Sequence, residues 1–349
     1  MKNKLKHLVP VLLALATITG SLSACELKPK AQQKVSKQGF YFDTIIQITL
    51  YGTTDEKYID DCFDMAKKYE DMLSNTVSYS EVSKINDAAG KEYVTVSNDT
   101  LELIKNGIKY GDTSDGRFDI TIGKLSDLWN FSEIAENTDS KDNEVDASVV
   151  PSDAQIQSEL AHVNYHNIQI NGNDVMLTDS KAKLDLGGIA KGFIADKMKA
   201  YLQSKKITSG IINLGGNVLT VGEKSDGSDY TVGIQKPFDE SGEPICTVKV
   251  KDKSVVTSGI YERYYRVDGK LYHHILDTTT GYPVKNNLYS VTIISDSSCD
   301  GDALSTTCFA LGIDKAKELI NSLSGVEAIF VTDDYSIITT SDEYNVSKE

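Results

Sequence analysis

A predicted apolar strand that runs into two glycines and then a helix start with a lysine has the residue types of a phosphate-binding turn. Residues 184–192 read Leu-Asp-Leu-Gly-Gly-Ile-Ala-Lys-Gly, and apolar residues then recur at helical spacing as far as Leu202. Glycines let the main chain approach an anion, and free N–H groups at the start of a helix attract it. A tight turn before a helix is the structural alternative. The segment matches neither a Walker loop nor a Gly-x-Gly-x-x-Gly motif.

A second group of oxygen-bearing side chains lies in residues 300–312, Asp-Gly-Asp-Ala-Leu-Ser-Thr-Thr-Cys-Phe-Ala-Leu-Gly. The apolar spacing predicts a helix that ends at Gly312, which puts Asp302 and Thr306 one above the other on one face. A carboxylate and a hydroxyl are hard ligands suited to Mg²⁺ or Ca²⁺, with positions left for water and phosphate. On spacing alone, a helix cap followed by a buried threonine is the favoured alternative.

Two adjacent histidines lie on the second strand of a predicted β-hairpin. An Asp-Gly pair at 268–269 separates strands predicted over 264–267 and 271–275. Alternation along the second strand sends His273 and His274 to opposite faces, so at most one of them points into a given site. A structural role is the alternative for this pair.

Two shorter segments combine polar and aromatic side chains. Phe118-Asp119 places an acid beside residues that can cover a planar ring. Residues 256–263, Val-Thr-Ser-Gly-Ile-Tyr-Glu-Arg, put hydroxyls, a glycine and an ion-pairing couple in one turn. A strand end with a surface salt bridge is the alternative for the second segment.

The elements around these segments are typical of an α+β fold. Strands alternate with amphipathic helices, and turn residues separate them. The pattern predicts a strand over 40–51, helices over 57–73 and 98–111, an exposed acidic insertion over 133–153, and strands over 168–170 and 175–177.

The N-terminus has the pattern of an export signal. Three lysines precede an apolar run over 8–18 that is too short to span a bilayer. Residues 22–25, Leu-Ser-Ala-Cys, resemble a bacterial lipobox, in which the chain is cut before Cys25 and its thiol receives lipid, palmitate included. A plain signal peptide with an incidental cysteine is the alternative. The lipobox predicts an extracytoplasmic protein that is anchored to the cell membrane by lipid alone.

This interpretation divides the chain into a signal peptide over 1–24, a lipidated cysteine with a flexible tether over 25–38, and one folded domain over 39–349. Without the three lysines of the signal peptide, 33 basic residues face 51 acidic ones, a net charge of −18. We therefore expect no nucleic-acid partner. The four cysteines of the domain match no zinc pattern. Buried free thiols are expected, with a Cys299–Cys308 bridge as the alternative.

Five segments, taken in order, resemble the ApbE family of FAD:protein FMN transferases. They are residues 185–192, Asn-Leu-Gly-Gly-Asn at 213–217, and the segments 257–263, 274–283 and 302–306. The resemblance runs from about Phe40 to about Thr332. It implies an α+β fold, a single two-lobed domain with mixed, largely antiparallel sheets packed against helices.

The resemblance also implies a reaction. FMN would pass from FAD, as substrate, to a threonine hydroxyl of a partner flavoprotein through a phosphoester bond, with Mg²⁺ as cofactor and AMP as the leaving group. Acceptors of such flavinylation carry a Ser/Thr-Gly-Ala-Thr-like segment. One alternative is an Mg²⁺-dependent FAD pyrophosphatase that yields FMN and AMP. The other is a lipoprotein that binds FAD or another nucleotide without turnover.

Site residues follow from the same resemblance. His274 is the implied base, and the implied metal ligands are Asp302, Ser305, Thr306 and the Gly188 carbonyl. The implied FAD contacts are Phe42, Thr76, Arg117, Phe118, Asp119, Asp185, Lys191 and Leu276. Phe42 stands where the family often has Met in a Met-Gly-Thr segment. Thr76 stands where many members carry an aromatic over the flavin, and Tyr79 is the aromatic nearby.

Overall fold

A computed structural model describes residues 33–138, 143–239, 241–344 and 346–348. The predicted signal peptide, Cys25 and the first part of the predicted tether lie outside these residues. The structured chain begins earlier than predicted, because strand β1 starts at Lys34, inside the segment assigned to the tether. Within the described residues, no helix is both long enough and apolar enough to cross a membrane.

The first two strands form a hairpin where one strand was predicted over 40–51. Strand β1 covers Lys34–Tyr41 and β2 covers Thr44–Tyr51. Phe42 and Asp43 between them both have positive φ, at 53° and 54°. Two successive left-handed residues make the tight turn that matches the twist of a hairpin. The prediction missed it because no glycine or asparagine marks the turn.

The helices of the first half agree with the sequence pattern at their starts. Helix α1 covers Lys57–Leu73 as predicted, and α3 covers Asn98–Thr113, two residues beyond the predicted end. The others are α2 (Glu81–Asp87), α4 (Gly123–Trp129), α5 (Phe131–Glu136) and α6 (Asp153–Leu160).

The exposed insertion predicted over 133–153 is wrong in part. Its first residues belong to α5, whose Phe131 ring stacks on Trp129 at 5.6 Å between centroids. Val145 further along donates its N–H to the carbonyl of Arg266 at 2.9 Å. A stacked aromatic pair before the acidic stretch and a main-chain hydrogen bond within it therefore tie it to the fold.

The second half of the chain is richer in strands. Its helices are α7 (Ala190–Ser204), α8 (Ser298–Leu311) and α9 (Ile313–Asn321). The strands after β2 are β3 (Val94–Thr95), β4 (Ile168–Asn171), β5 (Asp174–Leu177), β6 (Ser209–Leu214), β7 (Asn217–Gly222), β8 (Tyr230–Gln235), β9 (Pro244–Val250), β10 (Ser254–Gly259), β11 (Tyr264–Val267), β12 (Lys270–His273), β13 (Leu288–Ser295), β14 (Glu327–Thr332), β15 (Ile337–Thr339) and β16 (Ser347–Lys348).

One large antiparallel sheet organises the described fold, in the order β1-β2-β6-β7-β10-β13-β14-β15. Helices α1, α7, α8 and α9 pack on one face, and the small sheet β16-β9-β8 covers part of the other through a separate apolar cluster. The ladders are antiparallel, with isolated parallel bridges at Ile122–Lys183 and Glu144–Arg266. This arrangement confirms the predicted α+β class with largely antiparallel sheets against helices.

A second lobe surrounds the hairpin of β11 and β12. Helices α4, α5 and α6 pack against this hairpin around Trp129, which is fully buried and donates its indole N–H to the Gly281 carbonyl at 2.8 Å. The predicted strand over 271–275 ends at His273 instead. The residues that could do chemistry lie in segments 185–192, 258–263, 273–277 and 302–306. The second of these leads from β10 of the large sheet to β11 of the second lobe.

Candidate active site

The Gly-Gly segment forms a turn that leads directly into helix α7, as predicted, but the apolar residues 184–186 before it do not form the predicted strand. Asp185 shapes the turn, because its Oδ1 accepts a hydrogen bond from the Gly187 N–H at 2.8 Å. Its own N–H donates to the Ile120 carbonyl at 2.8 Å, which ties the turn to the segment that contains Phe118. Helix α7 begins at Ala190, just after the glycines, and its first N–H groups already have partners: the Ala190 N–H donates to the Leu186 carbonyl at 2.9 Å.

Gly192 brings helix α7 into contact with helix α8. A Cβ atom at this position would lie 2.1 Å from the carbonyl oxygen of Ser298, closer than any real contact. The Gly192 N–H donates to Oδ2 of Asp302 at 2.9 Å. One turn along α7, the Asp196 carboxylate accepts from the N–H groups of Ser298 and Cys299 at 2.8 and 2.9 Å. The close approach therefore couples the glycine turn to the predicted metal ligands.

Three hydroxyl groups gather beside Asp302. The Ser258 Oγ lies 2.7 Å from the Ser305 Oγ and 3.1 Å from the Thr306 Oγ1. Ser305 also donates to the main-chain carbonyl of Asp302 at 2.9 Å. Ser258 comes from the end of β10 and was absent from the predicted site residues. The hydroxyls of segment 256–263 were its signal, but nothing in the sequence relates that segment to α8.

Asp302 is a buried carboxylate, with only 7% of its surface exposed. Burial raises its pKa, while the Lys191 ammonium and the Gly192 N–H oppose that rise. The hydrogen bond from the Gly192 N–H reaches the Oδ2 of this carboxylate. Ser297, not Asp302, caps α8 by accepting from the Asp300 N–H, so the cap alternative does not explain Asp302.

The oxygen atoms of this group fit the coordination of a hard divalent cation. One carboxylate, neighbouring hydroxyls and a main-chain carbonyl are the oxygen ligands that Mg²⁺ takes when substrate phosphates and water complete its shell. Among the described residues, no three His, Cys, Asp or Glu side chains form a metal-binding group, so any cation here would depend on such neutral oxygens.

The positive charge of the Lys191 ammonium influences the pKa of several titratable groups of the site. It favours the charged form of Asp302 and of Glu262, and it disfavours protonation of His274. Glu262 touches solvent, but the surrounding protein still raises its pKa. Lys191 therefore brings positive charge close to Asp302, and its predicted contact with FAD stays a prediction. Glu262 lies in one of the segments that the sequence singles out, but no role was predicted for it.

His274 is held in one tautomer. Its Nδ1 lies 3.2 Å from the Arg263 carbonyl, which also accepts the His274 main-chain N–H at 3.1 Å. A carbonyl only accepts, so Nδ1 carries the proton and Nε2 keeps its lone pair. Burial, helped by the charge of Arg263, holds the pKa of His274 well below its usual range. The ring is therefore neutral near pH 7, as a general base must be.

His273 has a structural environment. Its Nε2 hydrogen-bonds the Val284 carbonyl at 3.0 Å, and its ring meets Phe309 edge-on at 5.9 Å. Only 5% of its surface is exposed, and burial lowers its pKa to about 4. The two histidines thus have different neighbours, as strand alternation predicts.

Several predicted FAD contacts lie together near the glycine turn. The Phe118 ring packs against Gly188, where a Cβ atom would lie 3.2 Å from its Cε2. Arg117 pairs with Asp277 at 3.0 Å, in the segment that contains the buried Leu276.

Asp119 has a different environment. It is buried, and its carboxylate accepts from the Thr121 N–H and hydroxyl and from the Tyr165 N–H. Burial raises its pKa against these hydrogen bonds. These contacts make Asp119 a support of the loop that holds Phe118.

Phe42 and Thr76 lie around the C-terminal part of α1. The Phe42 N–H donates to Glu70 Oε1 at 2.8 Å, and the Thr76 hydroxyl lies 2.9 Å from that of Ser74. Tyr79 is 62% exposed and donates to Asp71 at 2.9 Å. A polar cavity of about 250 Å³ is lined by residues that include Asn75, Asn86, Lys124 and Lys183. Thr76 and Asp185 are close to two of these residues in sequence but do not line the cavity.

The four described cysteines, Cys62, Cys246, Cys299 and Cys308, are buried and free, so the expected free thiols are confirmed. The bridge that was the alternative is not formed.

The chain is similar to known proteins over most of its length. The ApbE family model matches residues 42–330. An FAD:protein FMN transferase of Klebsiella pneumoniae (strain 342) is 38% identical over 298 residues, which are 85% of this chain and 88% of that protein. One of Treponema pallidum (strain Nichols) is 31% identical, covering 79% of this chain and 77% of its own length.

Solved structures agree with the sequence relatives. The ApbE protein of Thermotoga maritima superposes with a TM-score of 0.78 at 31% identity, over 88% of this chain and 96% of that one. The flavin transferase ApbE of Vibrio cholerae gives 0.76 at 25% identity, with the same coverage. The fold, the order of the site segments and these matches agree, and the chain belongs to the ApbE family.

Proposed function

We propose that this chain is an enzyme that transfers FMN from FAD to a threonine hydroxyl of partner flavoproteins and releases AMP, with Mg²⁺ as its metal. Relatives named FAD:protein FMN transferase support the transfer of FMN from FAD. The observation that carries the proposal is the contact between Gly192 and Asp302, which unites a phosphate-binding turn with a hard-oxygen site.

The metal would be held by Asp302, Thr306, Ser305 and the Gly188 carbonyl. When bound there, Mg²⁺ would offset the negative charge of the pyrophosphate and of the departing AMP. Ser258 orients the two hydroxyls of α8 through its own hydroxyl. Lys191 and the start of α7 attract the phosphates, since both are positive in character.

His274 would remove the proton of the attacking threonine. Its unprotonated Nε2 suits that role, because a base must have a free lone pair before it accepts a proton. Arg263 fixes the ring through its carbonyl. The same base would also activate water, so hydrolysis of FAD to FMN and AMP is the competing outcome.

The flavin side of FAD would be held by Arg117, Phe118, Leu276, Phe42 and Thr76. Phe118 offers an apolar ring beside Gly188, and Arg117 is anchored by Asp277. Asp185 shapes the glycine turn by accepting a hydrogen bond from the Gly187 N–H. We further propose that Cys25 anchors the protein by lipid outside the cytoplasm, where acceptors with a Ser/Thr-Gly-Ala-Thr-like segment meet it.

One incubation tests the proposal. The purified chain is mixed with FAD, Mg²⁺ and a folded acceptor domain that carries such a segment. Covalent acceptor fluorescence, free FMN and AMP are then measured separately. Transfer predicts AMP and fluorescent acceptor in equal amounts. AMP matched by free FMN would indicate a pyrophosphatase, and FAD recovered unchanged would indicate binding alone.

A further inference from the structure

Five aromatic rings form a continuous patch on the outer side of the turn that carries Glu262 and Arg263. We call Phe238, Tyr261, Tyr264, Tyr289 and Tyr335 the aromatic patch. Phe238 lies at its centre and meets the rings of Tyr261, Tyr264 and Tyr289 edge-on at 6.1, 5.2 and 5.3 Å. Tyr289 in turn meets Tyr335 at 5.1 Å. Tyr335 is exposed and the other four rings are half-buried.

Two of these rings come from loops in a conformation that large residues rarely adopt. Phe238 lies in the loop between β8 and β9 with φ of 58°, and Tyr335 lies between β14 and β15 with φ of 63°. A left-handed backbone is costly for a residue with a bulky side chain and persists only where its surroundings enforce it. The Tyr335 hydroxyl donates to the Pro237 carbonyl at 3.3 Å, which joins the two loops. Strain of this kind concentrates at binding surfaces.

The patch is joined to the candidate active site by the segment 258–263. A Cβ atom on Gly259 would lie 2.5 Å from the Tyr261 ring, so that ring packs on the backbone next to Ser258. Ser258 touches the hydroxyls of α8 on the inner side, and the Arg263 carbonyl holds His274. A polypeptide that presents a hydroxyl to His274 would therefore approach the site near this turn.

The surroundings of the patch favour a protein partner over a lipid surface. Arg266 lies over the rings of Phe238 and Tyr264, at 5.9 and 6.0 Å from their centroids. Asp333 and Asp334 flank Tyr335 and are exposed. An aromatic centre with a rim of mixed charge is typical of protein interfaces, whereas an anionic membrane would repel these acids.

We propose that the aromatic patch is the docking surface for the folded flavoprotein that accepts FMN. This inference rests on the proposed function. Rigid tyrosine and phenylalanine rings supply contact area at low entropic cost, so they would hold the acceptor while its threonine enters the site. FAD binding and the chemical step do not involve these rings.

The test compares Tyr335→Ala and Phe238→Ala with Tyr93→Ala, a control tyrosine that is 44% exposed and bonds Gln169 instead. The acceptor is a folded domain with a Ser/Thr-Gly-Ala-Thr segment. Each patch variant should raise the KM for this domain at least tenfold, with kcat and the Kd for FAD within twofold of wild type. Tyr335 is exposed, so its variant tests the idea even if Phe238→Ala unfolds.

Direct binding of the same domain to the chain, without FAD, separates the two hypotheses. If wild type binds the domain and the patch variants do not, the docking surface stands even where no FMN is transferred. If wild type labels the domain and the patch variants do so with an unchanged KM, the docking surface is refuted and the transferase remains. If the patch variants lose a binding to vesicles of phosphatidylcholine and phosphatidylglycerol that wild type shows, while their KM for the acceptor is unchanged, the patch binds a membrane and the proposal is overturned.

Discussion

Replacing Gly192 by alanine should separate helices α7 and α8 and disable the site. The new Cβ would lie 2.1 Å from the Ser298 carbonyl oxygen, 2.5 Å from its carbon and 2.8 Å from the Cys299 Cα. These are main-chain atoms of a helix and cannot rotate away. Ordinary contacts between heavy atoms are about 3.5–4.0 Å, so the helices must move apart by about 1 Å or more.

The expected destabilisation has two sources, the steric clash and a weakened hydrogen bond. Overpacking a tight interior costs about 1–3 kcal/mol. Weakening the bond from the Gly192 N–H to the Asp302 carboxylate, now 2.9 Å, adds about 1.5–3 kcal/mol, the usual range for a charged acceptor. The better helix propensity of alanine returns about 1 kcal/mol. The free energy of unfolding should therefore fall by about 1.5–5 kcal/mol.

Urea unfolding measures this change in stability, and AMP release from FAD measures the site in the fraction that stays folded. Gly107→Ala in α3 is the matched control, because its Cβ would meet only the side chain of Ile120, which can rotate. We expect Gly192→Ala to lose stability and nearly all turnover, and Gly107→Ala to lose less of both. If Gly192→Ala unfolds within about 1 kcal/mol of wild type and keeps its turnover, close helix approach does not position Asp302.

Four further outcomes are expected. Asp302→Asn should keep the hydrogen bond from Gly192 yet abolish Mg²⁺-dependent turnover, because a hard cation loses its charged ligand; unchanged activity would refute the metal site. His274→Ala should slow transfer ~10²–10⁴-fold with FAD still bound. The free energy of unfolding of the wild type should fall as the pH drops from 6.5 to about 4, because His273 stays neutral in the folded state and takes up a proton in the unfolded state. His273→Asn should reduce this pH dependence, measured by urea unfolding. The chain has no Ser/Thr-Gly-Ala-Thr segment, so after incubation with FAD and denaturation its own gel band should not fluoresce.

Local patterns predicted several elements of the fold, and long-range packing explains where they failed. Helix α1 follows from its apolar spacing, and the hairpin of β11 and β12 from its Asp-Gly turn. The turn at Phe42 was missed because tertiary contacts, including the bond from its N–H to Glu70, stabilise a left-handed residue that local sequence does not favour.

The site divides in the same way. The glycine turn and the one-turn spacing of Asp302 and Thr306 are local, so the sequence contains them. Ser258 is different, since it meets α8 only because β10 runs beneath that helix in the large sheet. Its role depends on strand order, and a hydroxyl in a strand gives no local sign of its distant neighbours.

The alternative interpretation of residues 300–312 was a capped helix with a buried threonine, and the structure separates the two roles. Ser297 and Asp196 satisfy the first N–H groups of α8, so the helix start does not need Asp302. Asp302 lies one turn further in, where burial raises its pKa and where an unpaired carboxylate would be costly. Lys191 and the Gly192 N–H compensate part of that cost. Because both come from the glycine turn, the proposed function would bring the cation and the phosphate together beside this carboxylate.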